Sequence, residues 1–179
     1  MKAIIFHGTD SNPSQSWYKW LQAKLEARGY TVEVPHYPNI NKGPVEEFLP
    51  GVIKNHTFDK ETVLIGHSSG SVLVLSLLEE IEPKIKQAIL VAGYSEDLAV
   101  HQPIIKESYD WERIKGHAQD LVFINSENDP WGCDDKQGHK MFQKLGGTLI
   151  IKNDGHFSSA ADPKYKEFPL LERLVGVEE

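Results

Sequence analysis

A short apolar run, Thr62-Val63-Leu64-Ile65, stops at Gly66, meets a serine two residues on and gives way to helix-forming residues from Ser71. The order is strand, tight turn, helix. It encloses Gly66-His67-Ser68-Ser69-Gly70, the G-x-S-x-G spacing of a nucleophile elbow. Such a turn is sharp enough to hold its serine in a sparsely allowed backbone region, with small residues needed on both sides, and Gly66 and Gly70 supply that room. A serine hydroxyl is a weak nucleophile until a base takes its proton, so Ser68 must be lifted clear of the sheet edge to where a histidine can reach it. The helix beginning near Ser69 adds backbone N–H groups and the positive end of a dipole where an oxyanion would develop. A glycine-serine turn of this spacing also arises by chance; the strand before it and the helix after it set the elbow apart.

Either side of the elbow, strands and helices alternate. Lys2 to Phe6 reads as a buried strand, followed by a polar loop from Thr9 to Ser16 and a helix from Trp17 to Arg28 that stops at Gly29. Thr31 to Val34 is a second strand, and Pro44 to Lys54 a helix expected to bend or break near Pro50. After the elbow helix, Ser71 to Ile81, come a strand at Lys86 to Ala92 and an aperiodic stretch from Gly93 to Gly116, read as an excursion over the sheet with a short helical piece around Asp110 to Lys115. Asp120 to Asn125 is a strand, Asp134 to Leu145 a helix ended by Gly146-Gly147, Thr148 to Lys152 the last strand, and Pro163 to Val175 a closing helix. No repeat or linker interrupts the order. It predicts one α/β domain over 1–179, a mostly parallel twisted sheet of about six strands with helices on both faces and right-handed crossovers. In such sheets the working residues lie in loops beyond the carboxyl ends of the strands.

Composition bounds the partners. A net charge of -7 argues against nucleic acid or an anionic membrane surface, both of which call for basic residues. The one cysteine, Cys133, cannot form an internal disulfide, and the apolar run Ala3 to Phe6 is too short for a signal-peptide core or a membrane span; a cytoplasmic location is expected. Cys133 follows Pro130, Trp131 and Gly132 with no activating histidine beside it in sequence, and reads as a packed thiol.

Three loops that follow strands hold the residue types of an acyl-transfer site: Ser68, then Asp129 after the strand ending at Asn125, then His156 after the last strand. Ser, Asp, His is the chain order of the α/β-hydrolase arrangement. Ser68 would attack an acyl carbon, His156 take and return the proton, and Asp129 fix the imidazole tautomer. His7, His67, His101, His117 and His139 compete with His156, which is favoured by its place after the final strand beside Gly155. Asp154 leads the histidine's own loop and more naturally shapes its turn, Asp120 begins a strand at the wrong end of the sheet, and Asp134 and Asp135 are placed to cap the next helix. The oxyanion would be received by the N–H of Ser69 and one from the loop after the first strand, for which Thr9 is chosen. Among the aromatics Trp17, Tyr94, Tyr109, Trp111, Trp131 and Phe157, the loop positions of Trp17 and Phe157 make them the expected substrate contacts. No cofactor or metal is called for.

These segments resemble the small α/β-hydrolase family typified by retinoblastoma-binding protein 9 and its bacterial YdeN-type relatives, over nearly the whole chain. The resemblance is carried by Trp17-Tyr18 with Trp20, Ile65-Gly66-His67-Ser68-Ser69-Gly70, Val91-Ala92-Gly93-Tyr94-Ser95-Glu96-Asp97-Leu98, Trp111-Glu112-Arg113-Ile114-Lys115, Asn128-Asp129-Pro130 and Gly155-His156-Phe157. It implies Ser68, Asp129 and His156 at the triad positions and no large lid. Thr9 to Ser16 departs from the glycine-rich loop of some relatives. The expected activity is a serine hydrolase of carboxylesterase type on a small acyl substrate. An amidase or peptidase with the same triad is the alternative within enzymes. A non-enzymatic module that binds a protein partner, which the family name suggests, is the alternative outside them.

Overall fold

The computed structural model describes residues 1–176, so 177–179, the end of the expected domain, lie outside the described residues. Six strands form one sheet: β1 (Lys2–Phe6), β2 (Thr31–Glu33), β3 (Thr62–His67), β4 (Ile85–Val91), β5 (Ala118–Ser126) and β6 (Thr148–Lys152). Every neighbouring pair is parallel and the spatial order is β2-β1-β3-β4-β5-β6. The central strands are apolar without alternation because both faces are covered; Val63, Leu64, Ile65, Ile89, Leu90 and Val91 are fully buried.

Helices α1 (Tyr18–Ala27), α2 (Val45–Asn55), α3 (Ser69–Glu80), α4 (Trp111–Gly116), α5 (Asp135–Leu145) and α6 (Pro169–Leu174) complete the fold. Helix α3 is buried from Ser69 to Leu78, which explains why its sequence is apolar nearly all round: it packs on β3, β1 and β4 and is overlaid by α2 and α4. Helix α5 has a single apolar stripe, with Met141 and Leu145 turned inward, as suits a helix covering the β5–β6 side. Among the described residues no helix is long and apolar enough to cross a membrane.

Two expected elements differ. Helix α2 runs unbroken through Pro50, whose ring is exposed while Val45, Leu49 and Val52 anchor the opposite stripe. The closing helix is split into a 3₁₀ turn at Pro163–Lys166 and α6, because Glu167 is extended and Phe168 is held out of the α region before Pro169, where an α conformation would clash with the proline ring.

The strand order reverses between β1 and β3, so the chain leaves these neighbours in opposite directions and opens a crevice at their carboxyl ends. The loop after β1 and the start of α3 face each other there.

Candidate active site

The backbone of Ser68 has φ 55° and ψ -121°, a conformation that L residues rarely adopt, and its N–H is tied to the Val91 carbonyl at 2.9 Å. Strain of this kind persists only where surroundings over-determine it. Here they do: a Cβ on Gly66 would strike the Gly70 carbonyl, and one on Gly70 would strike the Phe6 carbonyl. The elbow glycines are required by close approach, since neither has a positive φ.

Ser68 and His156 both line a cleft of about 540 Å³ whose walls include the β1 loop, Tyr94, Leu98, Gln102, Trp131 and Cys133. His156 Nδ1 is 2.6 Å from Asp129 Oδ2, and the carboxylate side chain is wholly shielded from solvent. The other oxygen, Oδ1, accepts from the Trp131 N–H at 2.9 Å and the Cys133 N–H at 3.3 Å, so its own turn holds the carboxylate. Asp129 and His156 are thereby brought together as expected. Asp134 caps α5, and Asp154 is paired with Lys152 and Lys164, which hold its carboxyl at about 2.

The histidine loop is fastened at four successive points that sequence reasoning did not foresee. Ser126 Oγ accepts from the Asp154 N–H and Asn128 Oδ1 from the Gly155 N–H, each at 2.8 Å. His67 Nε2 donates to the His156 carbonyl at 2.8 Å, and Trp17 Nε1 to the Phe157 carbonyl at 2.9 Å. Ser16 and Ser159 then exchange backbone-to-hydroxyl bonds at 3.0 and 3.1 Å. Phe157, with φ 52°, is turned inward by these ties and stacks on Phe168.

Trp17 and Phe157 are therefore not the substrate contacts expected of them. Both are fully buried and neither lines the cleft. Their loop positions were read correctly, but each side chain points into the core: Trp17 serves as a ring N–H donor, Phe157 as filling between Tyr165 and Phe168. The aromatic residues that do line the cleft are Tyr18, Tyr94 and Trp131. Trp131 is 53% exposed and its ring lies edge-on to His156 at 4.4 Å.

Thr9 lines the cleft and its hydroxyl meets that of Ser69. Asn41 Nδ2 donates to Thr9 Oγ1 at 3.1 Å, Ser69 Oγ lies 3.2 Å from the Tyr94 hydroxyl, and Gln102 Oε1 accepts from Asn41 at 2.8 Å. This network joins the β1 loop, the start of α3 and the excursion after β4. As the first residue of α3, Ser69 has no intrahelical acceptor for its own N–H.

Donor atoms of Asp129, Cys133 and His156 lie within 4.8 Å of one another, a set that could hold a metal ion. Asp129 and His156 already satisfy each other, however, and burial drives the Cys133 thiol well above its usual range, so it stays protonated.

His67 is buried between the Tyr18 hydroxyl, 2.6 Å from Nδ1, and the His156 carbonyl. Burial first, and repulsion from His156 second, push it from an ordinary 6.5 down to about 3. The folded chain thus keeps His67 neutral over a range in which the unfolded chain protonates it. The stability this confers is complete above about pH 6.5 and falls as pH drops toward 3, by up to about 1.4 kcal/mol per unit. Urea unfolding at descending pH should show a steeper loss for the native chain than for His67→Asn. Equal slopes would mean that His67 does not govern the acid limb.

A family model described as serine hydrolase matches residues 3–176. YdeN of Bacillus subtilis (strain 168) is 28% identical over 180 residues, spanning 95% of this chain and 92% of that one. Serine hydrolase RBBP9 of Rattus norvegicus is 26% identical over 185 residues, spanning 97% and 93%. The crystal structure of the B. subtilis ydeN product is similar with a TM-score of 0.87 at 24% identity, covering 97% and 96% of the two chains.

Proposed function

The chain belongs to the serine hydrolase family, and from that premise we propose that it cleaves small carboxylic esters through an acyl-enzyme, with Ser68, His156 and Asp129 as its catalytic residues. The observation that carries this reading is the 2.6 Å bond from His156 Nδ1 to the sheltered Asp129 carboxylate, in a cleft that the strained Ser68 elbow also lines.

With Nδ1–H donated to Asp129, Nε2 is the ring nitrogen left to act as a base. It takes the proton of Ser68 Oγ as the oxygen bonds to the acyl carbon, and the carbonyl oxygen becomes an oxyanion. The N–H groups of Ser69 and Thr9 receive that charge, held in place by the bond between their two hydroxyls. His156 then returns the proton to the departing alkoxide, leaving an ester on Ser68. A water molecule, deprotonated by the same nitrogen, repeats the addition and releases the acid. The Asp129 charge stabilises the imidazolium in both halves.

No lysine or arginine lines the cleft, so nothing there would attract an anionic acyl group, and its volume suits a small substrate. A fluorophosphonate probe tests the reading directly. Peptide mapping should find the phosphonyl group on Ser68 and nowhere else; an unlabelled Ser68 in folded protein would refute the nucleophile assignment.

A further inference from the structure

One polar group of the cleft is used neither by the fold nor by the reaction above. Ser158, two residues past His156, lines the cleft and is 7% exposed, yet its buried hydroxyl has no hydrogen-bond partner among the described protein groups. The described residues include two other buried polar atoms without a partner, the Tyr109 hydroxyl and Asn125 Oδ1, and neither residue lines the cleft. Buried hydroxyls are nearly always paired, because leaving one unpaired forfeits the water it once bonded and gains nothing. An exception that borders a binding cleft points to a partner that arrives with the ligand.

The position of Ser158 is tightly set. Its carbonyl accepts from the N–H groups of Ala161 and Asp162, at 3.1 and 2.9 Å, and its neighbours are pinned by the Trp17 bond to Phe157 and the Ser16–Ser159 exchange. These bonds hold the backbone on both sides of Ser158 while its own hydroxyl is left over. Nor is the chemistry of the cleft suited to an ionic ligand. Among the described residues no lysine or arginine lines it, and the one carboxylate besides the catalytic set, Asp10, is exposed and paired with Lys42 at 3.0 Å. Leu98 and the open indole of Trp131 give it an apolar part.

We propose that Ser158 selects substrate, hydrogen-bonding a neutral hydroxyl carried by the ester while the carbon skeleton rests against Trp131 and Leu98. This rests on the ester-hydrolase reading and narrows it to hydroxylated esters. No existing bond holds Oγ, so rotation about the Cα–Cβ bond is free to bring it to a ligand in the cleft that Ser158 lines.

The test compares propyl butanoate with two hydroxylated counterparts, ethylene glycol monobutanoate and propyl β-hydroxybutanoate, which place the hydroxyl on the alcohol and acyl sides. For at least one of them the native protein should show a kcat/KM about threefold to tenfold above propyl butanoate, expressed in KM, the value of one hydrogen bond. Ser158→Ala should bring that ratio to about one. Its melting temperature should be no lower than that of the native chain, because the substitution removes an unpaired oxygen and breaks no bond. A ratio near one in the native protein for both esters, or a preference that survives in Ser158→Ala, overturns the proposal while leaving the esterase reading standing. Failure of the native protein to cleave any of the three removes that reading, and this inference falls with it.

Discussion

Ser68→Ala protein should fold as the native chain does and turn over an activated ester such as nitrophenyl acetate about 10⁴ to 10⁶ times more slowly. On the proposed mechanism the size of the loss follows from what is removed: without Oγ no covalent intermediate can form, and only polarisation by the Ser69 and Thr9 N–H groups and substrate positioning would remain. Folding should be spared because the substitution keeps every feature that fixes the elbow. The N–H of residue 68 still bonds the Val91 carbonyl, the glycines at 66 and 70 still admit the close approach of α3, and an alanine Cβ occupies the space that the serine Cβ already fills. The strain at φ 55° persists, since alanine is no freer there than serine. Turnover and a melting curve measured on one preparation separate the two effects. A variant that stays within tenfold of the native rate would mean that the elbow is a scaffold and that hydrolysis, if any, occurs elsewhere.

The positions of Ser68, Asp129 and His156 were legible in the sequence because each follows a strand whose apolar run is short and sharply ended. In an all-parallel sheet this places the three loops at one edge. Distance along the chain then carries no information against their meeting. The roles of Trp17 and Phe157 were not legible. Sequence locates a loop but not the face to which a side chain turns, and here that face is chosen by partners far along the chain: the Phe157 carbonyl for Trp17, Phe168 for Phe157. Trp131 was recognisable only as an aromatic residue near Asp129; its exposure and its contact with His156 depend on how Asp129 folds its own turn. His67 was hidden for another reason. Inside the elbow motif it reads as the free position between glycine and serine, whereas in space its ring is the strut between α1 and the histidine loop. The split of the last helix was foreshadowed by Pro169, whose effect on Phe168 is local and could have been weighed against the helical pattern.

Asp129→Asn should lower kcat by about 10⁴ at neutral pH with the fold intact, and the bonds around the carboxylate say why the loss should be so large for an isosteric change. Oδ1 receives two backbone N–H groups, from Trp131 and Cys133. An asparagine at this position must therefore place its carbonyl oxygen there, because turning its NH₂ toward those donors would set donor against donor. The NH₂ is then left facing His156 Nδ1, which can only accept from it. The ring is forced into the opposite tautomer, with its proton on Nε2, where the Ser68 hydroxyl needs a base. The orienting hydrogen bond is kept and its direction is reversed. The neighbouring Asp154 offers no substitute, since Lys152 and Lys164 occupy both its oxygens at 2.7 and 2.6 Å. The defect should appear in kcat more than in KM, as the substituted group lies behind the imidazole and away from the substrate. Fluorophosphonate labelling of Ser68 should slow in parallel, because it draws on the same base. Retention of activity within about tenfold of the native protein would show that this carboxylate does not set the tautomer, and would send the search for the orienting group elsewhere.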